Sequence, residues 1–271
     1  MLPITKPANY PLIMGVLNIT PDSFSDGSCY LQRDAALKQA DKLIKEGADI
    51  IDIGGESTRP GADIVSADEE LSRIVPVIQA IKQNHQIKIS IDTYKPEVMQ
   101  EVLSLGVDMI NDVNAFEAPG ALDVVAKANC DICIMHKKGQ PKTMQNDPNY
   151  NNVVDEVYQY LTERGQDCER AGIAAENIII DFGFGFGKTV EHNLALVQHA
   201  GKFNTLGYRL MAGVSRKSTI GTVLNRKADQ RLAGSLALAV MLYLNGASIF
   251  RVHDVEQTKD AIEMVKAVYY L

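Results

Sequence analysis

Features that mark several classes of protein are missing from this sequence of 271 residues. No apolar run approaches the length that spans a membrane. The N-terminal MLPITKPANYPLIMG lacks a basic start followed by a long apolar core, so no export signal is expected. Acidic residues number 34 and basic residues 27, a net charge of −7, and no block of Lys or Arg occurs. This charge balance argues against a general nucleic-acid surface. With no membrane span and no export signal, a cytoplasmic location is expected.

Cysteine is scarce, with four residues in the chain. Cys130 and Cys133 form a CxxC within CDICIMH, a segment with the pattern of a buried strand. Side chains three apart on a strand point to opposite faces, so the two thiols are expected to diverge. We favour two apolar core residues here over a redox or zinc pair.

A complete phosphate-binding loop is also missing. Residues 181–189 read DFGFGFGKT and end in Gly-Lys-Thr, as a P-loop does. The pattern GxxxxGK(S/T) requires its first glycine at position 182, which is Phe182. The function of this segment therefore has to come from its surroundings.

What the chain does contain is a regular alternation of short apolar runs and amphipathic stretches. The predicted strands are 12–18, 48–55, 87–93, 108–113, 130–136, 177–183, 208–215 and 247–255. Near-continuous apolar strands are typical of a parallel sheet that is covered on both faces. Eight strand–helix units indicate a TIM (β/α)8 barrel. A doubly wound open sheet is less favoured, since no GxGxxG follows the first strand.

The segments between the strands have helical patterns. One helix is predicted to begin at an Asp34 N-cap, and the last is predicted to begin at Glu256. The polar stretch 137–152 is expected to be a long βα loop. No linker rich in Pro, Gly or Ser divides the chain, so one domain covering 1–271 is predicted.

Polar residues recur where the predicted strands end. They are Asn18, Asp52, Asp92, Asn111, Asp112, His136, Asp181, Ser215, Arg216, Lys217, Arg251, His253 and Asp254. A single acid in this position is often only the N-cap of the next helix. Caps alone do not explain the whole set, and the C-terminal ends of barrel strands are where active sites form.

This set divides into two chemical groups. Asp92, Asn111 and Asp181 suit a flat heterocycle that presents N–H donors. The basic residues suit an anion such as a phosphate, and they are Arg59, Lys217, Arg251 and His253. The expected substrate is a heterocycle that carries phosphate. Two loops, 18–28 and 54–62, add hydroxyl and charged groups among Pro and Gly, as loops that close over a reactive centre often do.

At this point the residues resemble the dihydropteroate synthases, pterin-binding barrels of folate biosynthesis. The motifs lie in the family's order over almost the whole chain: MGVLNITPDSFSDG (14–27), ADIIDIGGESTRPGA (48–62), ISIDT (89–93), MINDV (109–113), DFGFGFGK (181–188), GVSRKS (213–218) and RVHDV (251–255). The resemblance implies that 6-hydroxymethyl-7,8-dihydropterin diphosphate condenses with 4-aminobenzoate. The products would be 7,8-dihydropteroate and diphosphate.

The resemblance also implies a role for each matching residue. The pterin ring would be bound by Asp92, Asn111, Asp181 and Lys217. Arg251, His253 and Thr58 would bind the diphosphate, Ser215 would join the substrate site, and Asn18 would bind a magnesium ion bridging the diphosphate oxygens. Asp26 and Arg59 would act from the two loops, together with Lys217, in catalysis. Phe186 would help to form the 4-aminobenzoate pocket.

The sequence departs from the family pattern at two places and leaves some alternatives open. The family usually has Pro where this chain has Phe182, and Ser/Thr-Gly where it has Asn114-Ala115. A pterin-dependent methyltransferase would share the pterin residues but needs no diphosphate site, and an inactive paralogue would have lost some of them. A sugar-phosphate barrel does not explain the Asp-Asn-Asp set. The family is expected to form homodimers, and the apolar stretch 235–244 is either part of that interface or a buried barrel helix.

Overall fold

All eight predicted strands are present. The computed structural model describes residues 10–19, 29–56, 64–139 and 148–270, and of residues 29–32 only the backbone. Each predicted apolar segment contains one strand, and the strands are β1 Leu12–Asn18, β2 Ile50–Gly54, β3 Lys88–Asp92, β4 Met109–Asp112, β5 Asp131–Met135, β6 Ile178–Asp181, β7 Arg209–Ala212 and β8 Ala247–Val252. Strand β1 matches its predicted bounds at both ends.

The strands pair in chain order, all parallel, and close on themselves. Strand β1 pairs with β2 on one side and with β8 on the other, so that Met14 lies beside both Ile50 and Arg251. Helices follow the strands and cover the outside of the barrel, as the fold requires. The predicted TIM barrel is therefore confirmed, and the open doubly wound sheet is excluded.

The described helices are α1 Cys29–Lys45, α2 Ala67–Asn84, α3 Pro96–Ser104, α4 Ala121–Ala126, α5 Val153–Arg170, α6 Val190–Gln198, α7 Ser218–Leu224, α8 Leu232–Leu244 and α9 Val255–Tyr270. The predicted N-cap at Asp34 is wrong, because α1 begins at Cys29 and Asp34 is an exposed residue within it. The preceding residues CYLQR contain no helix breaker, so nothing local stops the helix from starting earlier.

The barrel interior is filled by apolar residues at alternate strand positions. This interior cluster contains Met14, Ile50, Met109, Cys133, Ile179, Met211 and Ile249. The outward-facing strand residues pack against the helices in a second, larger cluster. Cys133 belongs to the interior cluster and Cys130 to the outer one, and both thiols are free. The predicted divergence of the two cysteines is confirmed.

Candidate active site

Side chains on a strand alternate between its two faces, and this alternation places the polar residues in the barrel mouth. Residues two apart on a strand share a face. Each of the following lies two or four positions beyond a member of the interior cluster, towards the C-terminal end of its strand: Asn18, Asp52, Asn111, Asp181 and Arg251. The structure thus places a polar layer directly above the apolar filling of the barrel.

Arg251 connects two carboxylates across this layer. Its Nε donates to Asp52 Oδ2 at 2.6 Å, and its Nη2 donates to Asp92 Oδ2 at 2.7 Å. Asp52 is fully buried, and within the described part of the chain its Oδ1 has no hydrogen-bond partner. The Nε and Nη2 groups of Arg251 are therefore occupied by hydrogen bonds to Asp52 and Asp92.

Burial and charge act in opposite directions on these groups. Burial raises the pKa of Asp92 from 3.8 to about 7, against the lowering effect of Arg251, and the nearby Asp52 raises it further. Burial alone would lower the pKa of Arg251, but the carboxylates of Asp52 and Asp92 raise it above its ordinary value. The arginine stays charged, whereas Asp92 exchanges a proton near neutral pH.

Asp181 lies at the end of β6 and is 3 % exposed. Its Oδ1 accepts the N–H of Gly183 at 2.7 Å, so it is not the N-cap of a helix. Its Oδ2 lies beside Gly213, where an added Cβ would be only 3.0 Å away. Because Gly213 has no side chain, the space next to this carboxylate oxygen stays open. Burial raises the pKa of Asp181, and the charge of Lys217 opposes that shift.

Lys217 follows β7, the strand next to β6, and lies just before α7 on the same side of the mouth as Asp181. Its Nζ donates to the carbonyl oxygen of Phe184 at 2.6 Å and lies 4.6 Å from the centre of the Phe186 ring. Burial lowers the pKa of Lys217 from 10.5 to about 8, although the charge of Asp181 opposes this. The turn after β6 therefore contacts this lysine through both a carbonyl and an aromatic ring.

Two further pairs form where β7 and β8 end. Ser215 Oγ lies 3.2 Å from His253 Nδ1 and accepts the His253 backbone N–H at 3.2 Å. Arg216 forms an ion pair with Asp254 and adopts a φ of 57°. Ser215 thus orients the His253 ring, while Arg216 is held in a contact between two loops.

Other strand-end residues do not join the polar layer. Asp112 accepts the backbone N–H groups of Asn114 and Phe116 at 2.7 and 2.8 Å and so supports the turn after β4. That turn contains Ala115, with a φ of 51°. His136 packs against Tyr160 with the ring centroids 5.0 Å apart. The strand period separates Asp112 from Asn111, because neighbouring residues point to opposite faces.

The glycines after β6 have a different role from the one that a P-loop pattern gives them. Gly183 and Gly187 have φ values of 67° and 63°, and a Cβ on them would lie 1.8 Å from the His136 oxygen and 2.1 Å from the Lys138 oxygen. They allow this turn to touch the backbone that follows β5. Thr189 caps α6 in a capping box with His192, so the Gly-Lys-Thr of the sequence is a turn and a helix start.

A buried charge cluster next to β2 was not predicted. Lys95 Nζ lies 2.5 Å from Glu56 Oε2 and 2.5 Å from Glu70 Oε2, and Tyr94 donates to Glu56 at 2.9 Å. Glu70 is 1 % exposed. No sequence motif joins these three positions, and only the arrangement of β2, α2 and β3 brings them together. The cluster anchors the residue that precedes the segment 57–63.

Three of the predicted site residues, Asp26, Thr58 and Arg59, lie outside the described residues. Their predicted roles stay predictions.

No helix in the described part of the chain has the length and apolar character to cross a membrane.

Comparison with known proteins assigns this barrel to a protein family. Residues 14–253 match the family described as pterin binding enzyme. The dihydropteroate synthase of Haemophilus influenzae is 50 % identical over 257 residues, covering 95 % of this chain and 94 % of that protein. The chain belongs to the dihydropteroate synthase family. The predicted family and its enzyme class, a transferase, are confirmed.

Solved dihydropteroate synthases share the whole fold. The Xanthomonas albilineans enzyme with 4-aminobenzoic acid superposes with a TM-score of 0.91 at 44 % identity, covering 97 % of this chain and 94 % of that one. The same organism's enzyme in complex with 7,8-dihydropteroate gives a TM-score of 0.88 at 41 % identity, covering 97 % and 95 %. The dihydropteroate synthase function predicted from the motifs is thereby confirmed at the level of the family.

Proposed function

We propose that this chain joins the amine of 4-aminobenzoate to the methylene carbon of 6-hydroxymethyl-7,8-dihydropterin diphosphate. A C–N bond forms, the C–O bond to diphosphate breaks, and the amine loses a proton. The observation that supports this proposal is the polar layer, in which carboxylates, an amide and an arginine lie together in one barrel mouth. Its test is product formation: 7,8-dihydropteroate should appear by mass spectrometry only when both substrates are present.

The pterin ring would bind on the side of Asp181. The open space beside Gly213 gives a flat ring access to Asp181 Oδ2, which accepts N–H donors of the ring. Asn111 faces the same mouth with both an acceptor and a donor, and Lys217 can donate to a ring carbonyl. Asp92 completes the acceptor set from β3, held in place by Arg251.

The diphosphate would bind on the side of β8. Arg251 uses its Nε and one Nη for the wall carboxylates, so the rest of the guanidinium is left to contact an anion. His253, oriented by Ser215, lies two residues further along the same strand direction. These groups stabilise the negative charge that grows on the leaving group.

A magnesium ion would be held by Asn18 together with oxygens of the diphosphate. Asn18 lies at the end of β1, and its Oδ1 is 3.5 Å from the position that a Cβ of Gly54 would occupy. The absent side chain at Gly54 leaves room beside this oxygen, which fits an ion that takes few protein ligands and several phosphate or water oxygens. The ion would supply charge neutralisation of the leaving group.

No protein nucleophile is required, because an arylamine is already nucleophilic at neutral pH. The chain's work is to orient the amine towards the methylene carbon and to keep water from competing. Phe186 would form part of the amine's pocket, since its ring lies beside Lys217 at the edge of the mouth. Asp26, Arg59 and Thr58 would complete the site from the two loops that precede α1 and α2.

We further propose that two copies associate through the outer face of α8. This helix, LAGSLALAVMLYL, contains no charged residue, and only its Ser235, Ala239, Leu242 and Tyr243 are buried. The opposite face stays accessible, with Met241 at 46 %, and Val223 on the neighbouring α7 is 55 % exposed. An accessible apolar helix face of this kind is typical of an interface between proteins.

The stretch 235–244 thus packs one face on the barrel and leaves the other face accessible, and the accessible face is the interface that we propose. Met241→Glu should shift the protein from dimer to monomer in sedimentation velocity. Tyr10→Glu, which adds the same charge at an 81 % exposed aromatic residue elsewhere, should leave the dimer intact. A wild-type protein that sediments as a monomer would refute this proposal.

The cytoplasmic location that the sequence predicts stays a prediction.

A further inference from the structure

Lys188 is the residue of DFGFGFGKT to which the proposed reaction gives no role. It is 3 % exposed. Its Nζ lies 2.9 Å from His136 Nδ1, 3.0 Å from the oxygens of Gly183 and Phe186, and 3.3 Å from the His136 oxygen. Burial lowers the pKa of Lys188 from 10.5 to about 7. Burial together with the charge of Lys188 lowers the pKa of His136 to about 3, so the imidazole ring is neutral. All four acceptors around this lysine are therefore uncharged.

The turn that Lys188 touches contains no strand or helix, and it is also held by the buried side chain of Phe184 and by a hydrogen bond from Tyr150 to the Gly187 carbonyl at 2.7 Å. Its three glycines, at 183, 185 and 187, all have positive φ values. Gly183 donates to Asp181, and Gly185 donates to Asn193 Oδ1 at 2.7 Å. Lys188 adds hydrogen bonds to two carbonyls within the turn and ties the turn to the residue that follows β5.

This turn also supplies two groups to the site. The carbonyl of Phe184 accepts from Lys217, and the ring of Phe186 lies under the same ammonium. Lys188 thus holds the turn from the buried side while Lys217 contacts it from the barrel mouth. A methionine would fill a similar volume without the cost of burying an ammonium group. The hydrogen bonds are what the lysine contributes.

We infer that Lys188 is a positioning residue, which holds the turn 183–187 so that Phe186 and the Phe184 carbonyl take their places beside Lys217. It does not touch the substrate itself. This inference rests on the proposed function for the identity of the substrates. It predicts that loss of the lysine affects the amine end of the reaction and leaves the diphosphate end, built on β8, unchanged.

The direct test is Lys188→Met. The KM for 4-aminobenzoate should rise about tenfold, the effect of losing the net contribution of about one hydrogen bond. Binding of inorganic diphosphate, measured by calorimetry, should change by less than about twofold. Lys127→Met, at an exposed position after α4, should leave both values unchanged. An equal weakening of diphosphate binding in the folded variant, or an unchanged KM, would overturn the inference.

A spectroscopic readout tests the turn without any turnover. The chain contains no tryptophan, so Phe186→Trp creates a single fluorophore in the turn. Adding Lys188→Met to that protein should increase quenching of the tryptophan by acrylamide, whereas adding Lys127→Met should not. Equal quenching in both double variants would count against Lys188.

Two further results of these experiments need a separate interpretation: a Lys188→Met variant that does not fold, and a wild-type protein that forms no product. If Lys188→Met does not fold, Lys188→Gln keeps a polar donor that is one bond too short to reach all of the acceptors of Lys188, and the same KM and quenching measurements decide on that variant. If the wild-type protein forms no dihydropteroate, the proposed function fails. The quenching comparison then still shows whether Lys188 holds the turn.

Discussion

The Nε of Arg251 lies 2.6 Å from Asp52 Oδ2, although the two residues are 199 positions apart in the chain. Strand β1 separates their strands, so this contact crosses the barrel mouth. Arg251 also holds Asp92. Removing the guanidinium would leave two buried carboxylates without their partner, which is strongly destabilising. Arg251 therefore supports the pterin side of the site as well as the diphosphate side.

Asp92→Asn should increase stability at pH 8 while weakening pterin binding. The folded protein raises the pKa of Asp92 to about 7, so between pH 4 and 7 the folded state holds more protons than the unfolded state. Ionising the buried Asp92 side chain lowers the free energy of unfolding. This loss is absent below about pH 4, grows as the pH rises, and is complete above about pH 7. The variant should gain about 1 to 3 kcal/mol in urea unfolding at pH 8 and nothing at pH 4. A variant less stable than wild type at pH 8 would contradict this.

Asp181→Asn should weaken pterin binding in calorimetry by about 30-fold or more while leaving the fold intact. The amide still accepts the Gly183 N–H through its oxygen, but it presents a donor where Oδ2 now accepts. A ring N–H would then face an N–H, which costs on the order of 2 kcal/mol or more. Asp123→Asn, at an exposed position on α4, makes the same chemical change away from the site. Equal affinities for the two variants would refute the role of Asp181.

Gly183→Ala should be far more damaging than Gly120→Ala. Both glycines have positive φ values, 67° and 83°, so each alanine has a similar backbone strain of about 1 kcal/mol. Only at Gly183 would the added Cβ collide with a backbone oxygen, that of His136, whereas Gly120 has nothing within 4 Å. Urea unfolding and activity of the two variants measure the difference. Similar losses would mean that the close approach of the two loops is unimportant.

Pterin affinity should fall as the pH rises through about 8. Burial lowers the pKa of Lys217 to about 8, so the ammonium that faces the ring carbonyl is lost above that pH. Lys217→Met should bind the pterin more weakly and without this decline. Calorimetry from pH 6.5 to 9.5 on both proteins measures it. If the wild-type affinity is constant across this range, Lys217 does not act as a charged donor.

Local sequence patterns were sufficient for the fold because burial on both faces makes the strands of a parallel barrel uniformly apolar. The segment LIMGVLN was predicted to its last residue, since Asn18 ends the apolar run where β1 ends. The start of α1 was wrong because cap preference ranks Asp34 highly but does not prevent a helix from beginning before it. Cap residues mark possible starts, and the rest of the fold selects one.

The site was predicted less completely, because its contacts depend on strand register and on buried partners. Asp52 stood out as polar, yet its contact with Arg251 follows only from the closure of β8 onto β1. Lys188 looked like part of a coincidental P-loop pattern, and no neighbour in sequence indicates that it is buried beside His136. The Glu56, Lys95 and Glu70 cluster gave no signal, since each residue alone is typical of a surface.

The most direct test of the proposed reaction is the initial rate of diphosphate release from 6-hydroxymethyl-7,8-dihydropterin diphosphate, with magnesium present. The rate should be near zero without 4-aminobenzoate and should rise to saturation as the amine is added, with one 7,8-dihydropteroate formed per diphosphate. Release at the same rate without the amine, or no release with both substrates, would contradict it.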